Sequence, residues 1–511
     1  MHQLSRLSYD QVDIERTLMF SLPILRQGPI LPLQAFDGMD CPIAVVDDAK
    51  TWPWALLDDC RRMFASDVQP VLVPKDMILS NLNQVFDLSS ASAKEMLEDI
   101  STSDELLREI EDIGDLLESE DDAPVIRLVN TLLSQALKDR ASDIHIEPFE
   151  SEVLVRFRID GILHSIIQPP KSVQAAMISR IKVMAGLDIA EKRHPQDGRV
   201  RIRIAGRDVD IRISILPTAF GERVVMRLLD RSAKALTLQE LGMSEQQFSI
   251  MQGVVKMPHG IVLVTGPTGS GKSTTLYAAL MEIDRSNRNV MTIEDPIEYQ
   301  VEGVAQMQVQ PKIGLNFASG LRSILRQDPD IVMIGEIRDL ETAEIAIQAS
   351  LTGHLVFATL HTNDALSAIV RLQDMGIEPY LVASSLMMVQ AQRLVRRLCP
   401  HCKRARIAQD DDWRVLEVSG IYQQKEIFEA IGCDACMNTG FMGRVAIYEI
   451  LQVSETLRHA IHDGKGLPSL RRLAKKENVL SLRQDGARHV AAGLTTIEEV
   501  LRVSTEGTLI V

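Results

Sequence analysis

Apolar runs alternate with helix-like segments between about residues 236 and 395, which is the order expected of a parallel α/β sheet. Four of these runs are short and continuous, as buried strands are, and they cover residues 261–265, 290–293, 331–334 and 355–360. Helix-like spacing follows the first run, over residues 273–283. The pattern therefore predicts an open sheet flanked by helices.

Residues 124–230 show a different, two-residue period. A helix-like stretch at 124–138 and the segment 142–148 come first. Apolar residues then alternate with arginine in three segments, 154–160, 199–204 and 209–214. Such alternation predicts strands with one apolar and one basic face. Solvation of a sheet face is the simplest explanation, although mixed polar residues would serve solubility as well as arginine does.

The first ninety residues mix short apolar runs with Pro and Gly. They predict a strand at 41–47, a helix at 52–64 and a strand at 71–73, enough for a small α/β domain, and they indicate no particular chemistry. Residues 95–122 then place Leu and Ile among Asp and Glu at helix-like spacing. A solvated helical linker explains this run best, and an acidic docking surface is the alternative.

A chain of 511 residues is too long for one hydrophobic core. The changes of pattern predict an N-terminal domain (1–94), an acidic linker (95–123), a second N-terminal domain (124–235), an α/β domain (236–396 and 441–511) and a cysteine-containing insertion (397–440). No window approaches the roughly 20 apolar residues of a membrane span, and the N-terminus does not resemble a signal peptide. We therefore expect a cytoplasmic protein that meets a membrane only through a partner.

The net charge of −15 is concentrated in one place. Residues 95–122 hold thirteen acidic residues and a single basic one, Arg108, so the rest of the chain is close to neutral. Nucleic-acid binding requires a basic surface, because phosphate contacts supply most of the affinity. No nucleic-acid partner is therefore expected.

The loop after the first predicted strand has the sequence of a phosphate-binding loop. Residues 266–273 read Gly-Pro-Thr-Gly-Ser-Gly-Lys-Ser and fit G-x-x-x-x-G-K-[ST] without a mismatch. Backbone N–H groups in such a loop surround phosphate oxygens at the positive end of a helix. Lys272 would reach the β and γ phosphates of ATP, and Ser273 would bind Mg²⁺. The predicted nucleotide-binding residues are Gly266, Pro267, Thr268, Gly269, Ser270, Gly271, Lys272, Ser273, Thr274, Glu294 and Asp295.

Three further strands each end in polar residues suited to this site. These residues are Glu294-Asp295, Glu336 and His361. Because ligands of open parallel sheets bind at the carboxyl ends of the strands, all of them should face the phosphates. Glu336 is predicted to orient or deprotonate the attacking water, and Glu294 and Asp295 to hold Mg²⁺ or its waters. His361 would sense the γ-phosphate, or else be a hydrogen-bonded core histidine.

Four of the six cysteines form two C-x-x-C pairs. Cys399, Cys402, Cys433 and Cys436 together provide the four thiolates of a closed, structural zinc site. The thirty residues between the pairs exceed the usual spacing of about fifteen to twenty. A redox-active pair is the alternative, but no thioredoxin-like context surrounds either copy. Cys41 and Cys60 are best explained as small buried hydrophobic residues.

Several longer blocks resemble the signature boxes of the secretion ATPase superfamily of P-loop proteins. Beside the phosphate-binding loop, these blocks are residues 142–148, 191–198, 221–225, 292–298, 321–339 and 352–364. The likeness covers roughly residues 125 to 505 and is greatest to the type II secretion ATPases, the general secretion pathway protein E family. Pilus-retraction ATPases lack the cysteine insertion, and pilus-extension ATPases usually have a longer N-terminal region.

The resemblance implies a RecA-like motor domain preceded by a PAS-like α/β domain, assembled as a homohexamer that couples ATP hydrolysis to pseudopilus assembly and protein export. It also implies that arginines reach ATP across a cleft, Arg212 and Arg227 from the smaller domain and Arg322 and Arg326 from the motor domain. The N-terminal domain would dock onto the cytoplasmic domain of a bitopic inner-membrane protein (GspL-like), beside a polytopic platform protein (GspF-like). The chain would then be peripheral on the inner membrane.

Three other functions compete with this one. A type IV pilus extension ATPase shares the cysteine insertion. A nucleic-acid translocase could use the same P-loop core, but the near-neutral body disfavours it. A regulatory protein that binds nucleotide without hydrolysing it is disfavoured by Glu336 and the four arginines. No sequence feature requires cyclic-dinucleotide control of the N-terminal domain.

Overall fold

The computed structural model describes residues 124–504, apart from 205–206, 231–235, 419–421 and 423–424, together with parts of residues 2–85. The acidic run at 95–122 lies outside the described residues. The chain divides into two compact units, residues 1–233 and 234–511. Within the part of the chain that is described, no helix combines the length and apolarity needed to cross a membrane.

The N-terminal part of the first unit contains a small sheet with the strand order β1-β4-β3-β2. Its elements are β1 (His2–Gln3), β2 (Ile30–Pro32), β3 (Pro42–Val46) and β4 (Gln69–Val73), with the helices Ile14–Thr17 and Trp54–Phe64. Ile43, Val45 and Val71 are buried in its core. Cys41 and Cys60 belong to the same core, as expected of small buried hydrophobic residues.

The later part of the first unit contains a six-stranded antiparallel sheet in the order β7-β6-β5-β10-β9-β8. The strands are β5 (Ala141–Pro148), β6 (Val153–Ile159), β7 (Ile162–Ile167), β8 (Gln196–Ile204), β9 (Arg207–Thr218) and β10 (Gly221–Asp230). Two helices, Pro124–Lys138 and Val173–Ala185, contact each other and the sheet. The second helix ends at Gly186, which has a left-handed φ of 64°.

Alternation along these strands separates an apolar face from a charged one. Ile144, Phe157 and Ile211 on the apolar face are fully buried with Leu128 of the first helix. At about 25 cal/mol per Å², burial of such large apolar side chains is the main force that holds helix and sheet together. The opposite face carries the arginines predicted from the sequence, but they alternate with carboxylates, so this face has mixed charge.

The second unit is built on a seven-stranded sheet in the order β13-β12-β14-β15-β11-β16-β19. The strands are β11 (Gly260–Thr265), β12 (Val290–Glu294), β13 (Ala305–Gln308), β14 (Ile331–Ile334), β15 (Leu355–Leu360), β16 (Leu386–Leu398) and β19 (Phe441–Gln452). The pairs are parallel except β16 with β19. The four strands predicted from apolar runs are neighbours in this sheet.

Helices and buried clusters cover both faces of this sheet. The helices are Glu245–Val255, Lys272–Met281, Phe317–Ile324, Leu340–Leu351, Ala365–Asp374, Pro379–Ser385, Glu455–His462, Leu467–Lys476, Leu482–Ala491 and Ile497–Ser504, with a 3₁₀ turn at Pro311–Ile313. The predicted α/β fold class is therefore confirmed.

A small insertion separates β16 from β19. It contains a two-stranded antiparallel sheet of β17 (Arg404–Ile407) and β18 (Glu426–Glu429), the short helix Asp410–Arg414 and a 3₁₀ turn at Asp434–Cys436. Trp413 and Ile427 of the insertion are buried in one cluster with Val490 and Val500. The insertion is thus anchored to the last helices of the chain.

Candidate active site and tetracysteine cluster

The phosphate-binding loop joins the fully buried strand β11 to the helix Lys272–Met281. Three glycines in this loop have positive φ angles, 151° at Gly266, 78° at Gly269 and 85° at Gly271. A Cβ atom at Gly266 would also lie only 2.6 Å from the carbonyl oxygen of Gln392 and from Ser270 Oγ. The backbone conformation of the loop therefore requires glycine.

Side chains of strand β16 hold this loop and the helix after it by hydrogen bonds. Gln392 Nε2 donates to the carbonyl oxygen of Ser270 at 2.8 Å, and Gln392 Oε1 accepts from Thr275 Oγ1 at 2.8 Å. Arg393, next to it, donates to the carbonyl oxygen of Asn363 at 2.9 Å. Sequence reasoning assigned no role to Gln392 or Arg393, because β16 is remote from the loop in sequence.

The ammonium group of Lys272 is folded back onto the loop. It donates to the carbonyl oxygens of Gly266 at 2.8 Å and Pro267 at 3.1 Å. Burial lowers the pKa of Lys272 to about 8, and the carboxylate of Glu336 partly offsets this effect. The two groups therefore interact across the end of the sheet.

Glu336 and His361 follow the ends of the adjacent strands β14 and β15. Glu336 is largely buried, forms an ion pair with Arg338, and lies 3.5 Å from His361 Nε2. Partial burial and the charge of Lys272 lower the pKa of His361. The side chain of His361 is 46% exposed, so it is not a core histidine. The structure thus brings Lys272, Glu336 and His361 together, with Arg338 as a neighbour that sequence reasoning did not single out.

Glu294, at the end of β12, is buried in a network of hydrogen bonds. Its Oε1 atom accepts from Thr292 Oγ1 at 2.6 Å and from Gln306 Nε2 at 3.1 Å, and its Oε2 atom accepts from the Tyr277 hydroxyl. Asp295, the next residue, is exposed. Tyr277 was missed from the sequence, although it lies four residues after Ser273 and therefore on the same face of the helix.

The four predicted arginines occupy two places. Arg322 forms an ion pair with Glu341 at 2.7 Å, and Arg326 donates to Ser323 Oγ at 3.1 Å. In the first unit, Arg227 of β10 lies directly opposite Arg212 of β9. Arg227 Nε also donates to Asp143 Oδ1 at 3.0 Å.

The four cysteines of the insertion converge, and all four Sγ atoms lie within 4.8 Å of one another. The separations are 3.9 Å for Cys399–Cys433, 3.8 Å for Cys402–Cys436 and 3.7 Å for Cys433–Cys436. Sulfurs about 2.3 Å from a tetrahedral zinc ion lie about 3.8 Å apart. The N–H of Gly440 donates to Cys436 Sγ at 3.2 Å, as expected around a thiolate ligand. The residues therefore fit a closed tetrathiolate zinc site.

Comparison with protein families matches residues 118–502 to the family described as type II/IV secretion system protein. The type II secretion system protein E of Dickeya dadantii (strain 3937) is 52% identical, over 97% of this chain and 98% of its own length. The type II secretion system ATPase E of Vibrio cholerae serotype O1 is 51% identical, over 88% of this chain and 90% of its own length.

Solved structures share the fold. The pilus retraction motor PilT with bound ADP aligns with a TM-score of 0.51 and 26% identity, over 74% of this chain and 97% of its own. The ATPase DotB of Legionella pneumophila aligns with a TM-score of 0.54 and 21% identity, over 74% and 95% of the two chains.

Proposed function

Because this chain belongs to the type II/IV secretion system protein family, it is an ATP-hydrolysing enzyme of protein secretion, and we propose that Lys272, Ser273, Glu336 and His361 form its hydrolytic site. Membership in this ATPase family implies ATP and Mg²⁺ as cofactors. The observation that carries the proposal is the convergence of Glu336 and His361, at the ends of adjacent strands, with Lys272 of the phosphate-binding loop.

In the proposed reaction, the backbone N–H groups of the loop and Lys272 bind the β and γ phosphates. The Ser273 hydroxyl would be a ligand of Mg²⁺, which neutralises phosphate charge when bound. Glu336 accepts a proton as water attacks the γ-phosphorus. The bond between the γ-phosphorus and the bridging oxygen breaks, ADP leaves with that electron pair, and inorganic phosphate forms. His361 would contact the γ-phosphate from the next strand.

Glu294 has a more restricted role in this proposal. A carboxylate has about four acceptor positions, and three protein donors occupy three of them: Thr292, Gln306 and Tyr277. One position therefore remains, on Oε2. Glu294 can accept one hydrogen bond in a fixed direction, which suits a single Mg²⁺-bound water better than direct coordination of the metal. Tyr277 is then a positioning residue.

Tyr277→Phe is expected to lower kcat by about 10- to 100-fold, since a hydrogen bond to a charged group is worth about 1.5–3 kcal/mol. The KM for ATP should stay within about twofold, because the phosphate-binding loop is intact. Tyr299→Phe is the matched control, since its ring contacts Tyr277 in a tilted arrangement with the centroids 4.4 Å apart. Steady-state kinetics and melting temperatures check both variants. Equal kcat values for Tyr277→Phe and the parental protein would refute the positioning role.

We propose that the tetracysteine cluster holds one zinc ion with a structural role, since four thiolates leave no open coordination position. The purified protein should contain about one zinc per chain by elemental analysis. Zinc should be lost in the Cys399→Ser, Cys402→Ser double variant, and amide exchange should accelerate in residues 397–440. Cys41→Ala should keep its zinc, because Cys41 is buried in the N-terminal core. A folded parental protein without zinc would contradict this proposal.

At the level of the secretion system, we propose a cytoplasmic homohexamer that drives pseudopilus assembly. Its residues 1–94 would dock it onto a bitopic inner-membrane protein (GspL-like), beside a polytopic platform protein (GspF-like). The likeness to type II secretion ATPases over nearly the whole chain supports this assignment. Tagged full-length protein purified from native membranes should carry a bitopic membrane protein with it, and the same chain lacking residues 1–94 should not. Equal recovery from both would refute N-terminal docking.

A further inference from the structure

Strand β16 runs past the end of its neighbour β11 and continues beside the phosphate-binding loop. Thr265, the last residue of β11, lies opposite Ala391, whereas β16 extends to Leu398. Gln392 is thus the first residue of β16 beyond this pairing. A Cβ atom added to Gly266 would lie 2.6 Å from the carbonyl oxygen of Gln392, so the strand and the loop are in close contact at this point.

Gln392 is 1% exposed, and hydrogen bonds at both ends of its amide group fix the orientation of that group. The Oε1 atom accepts from Thr275 Oγ1 at 2.8 Å and from Gln390 Nε2 at 3.2 Å. The Nε2 atom donates to the carbonyl oxygen of Ser270 at 2.8 Å. An amide oxygen only accepts and an amide nitrogen only donates. Turning the amide over would therefore lose the hydrogen bonds to Ser270 and Gln390.

The contact with Ser270 determines which way one peptide group of the loop faces. The carbonyl of Ser270 and the N–H of Gly271 belong to the same planar, trans peptide group and point in opposite directions. Because the carbonyl is held towards β16, the N–H of Gly271 points away from that strand. Gly271 has a φ of 85°, and glycine has few steric limits of its own. The contact from β16 therefore selects one orientation of a peptide group that could otherwise turn.

We propose that Gln392 is a positioning residue for nucleotide binding, which turns the N–H of Gly271 towards the phosphates of ATP and ADP. This inference rests on the proposed function, in which backbone N–H groups of the loop bind those phosphates. Gln392 acts through Ser270 and Gly271 and does not itself contact the nucleotide. Because the same N–H serves ATP, the transition state and ADP, its loss weakens all three interactions alike and leaves kcat nearly unchanged. This effect is the opposite of the one expected of Tyr277→Phe, which lowers kcat at an unchanged KM.

Gln392→Met in the full-length protein tests this inference. Methionine is unbranched and flexible, so it can fill the space of the glutamine side chain, but it cannot donate to Ser270. Loss of one typical hydrogen bond is expected to raise the KM for ATP and the Kd for ADP about fivefold or more, with kcat within about twofold of the parental value. Steady-state kinetics give KM and kcat, titration calorimetry gives the Kd for ADP, and melting temperatures show whether the variant is folded.

Gln390→Met is the matched control. Gln390 lies on the same face of the same strand, is fully buried, and donates to Gln392 rather than to the loop. Its replacement removes a buried amide of the same kind but leaves the hydrogen bond between Gln392 and Ser270 in place. The KM for ATP and the Kd for ADP should therefore stay within about twofold of the parental values.

Parental KM and Kd values in folded Gln392→Met would overturn the inference, and so would a fall in kcat at an unchanged KM. An equal rise of KM in Gln390→Met would indicate a general effect of losing a buried amide and would also overturn it. Lys272→Ala separates this inference from the proposed function. If Lys272→Ala binds ADP as tightly as the parental protein, the proposed role of the loop fails; if it binds ADP weakly while Gln392→Met is parental, only the role of Gln392 is wrong. Should Gln392→Met fail to fold, Gln392→Leu is measured in its place, with Gln390→Leu as its control.

Discussion

Glu336→Gln is expected to bind ATP and retain it unhydrolysed, whereas Lys272→Ala is expected to lose turnover through loss of binding. Glutamine keeps the size of Glu336 and one acceptor oxygen but cannot accept a proton from water. Loss of a general base costs about 10²- to 10⁴-fold in rate, so kcat should fall by at least about 100-fold. Lys272 contributes to triphosphate binding directly, and its removal should weaken ATP affinity itself.

Nucleotide retention separates the two variants. After incubation with Mg-ATP and rapid desalting, Glu336→Gln should carry ATP, the parental protein ADP, and Lys272→Ala neither. Glu344→Gln is the control, since Glu344 is exposed on the helix Leu340–Leu351. Hydrolysis by Glu336→Gln at the parental rate would show that Glu336 is not the base, and Glu294 would become the candidate.

The local pattern of apolar and polar residues predicts many of the helices and strands. The helix Pro124–Lys138 and the strands β14 and β15 have the bounds that apolar periodicity predicts. Strand β16 could not be found in this way, because residues 386–398 are rich in Leu, Met, Gln and Arg, which also favour helices. Its pairing with β11 and β19 determines its conformation, and such pairing is not visible in a local window.

The features of the candidate site likewise fall into two groups, those that local sequence predicts and those that depend on contacts between distant elements. The rule that ligands bind at strand carboxyl ends depends only on strand direction, and from it we predicted that Lys272, Glu336 and His361 face one site. Glu336 and His361 lie 3.5 Å apart in the structure. The rule did not reveal that the oxygens of Glu294 accept hydrogen bonds from Tyr277 and Gln306, which lie on separate elements. The alternation of apolar residues with arginine likewise predicted arginines on one face of the six-stranded sheet. The partner of each arginine depends on the register between strands, which the alternation does not specify.

We propose that Arg227 acts on the nucleotide of a neighbouring chain, as the resemblance to secretion ATPases implies, so Arg227→Ala is expected to bind ATP and to lose turnover. Arginines that act on the phosphoryl group contribute about 10³- to 10⁵-fold in rate. Arg227 is about half exposed and bound on one side by Asp143, so its guanidinium can still offer two parallel donors to phosphate oxygens. Parental hydrolysis per chain should therefore rise with protein concentration as chains associate. Arg203→Ala, which removes an exposed and ion-paired arginine, should behave like the parental protein.

Mixing two inactive variants gives the sharper test of action between chains. In a ring that contains both Arg227→Ala and Lys272→Ala, some interfaces join an intact phosphate-binding loop to an intact Arg227, and these sites should hydrolyse ATP. Activity should appear on mixing, and each variant alone should stay inactive. Fluorescently labelled chains must show that subunits exchange under the same conditions. Exchange without recovery, together with a parental rate that does not depend on protein concentration, would mean that Arg227 acts within its own chain or has no role in hydrolysis.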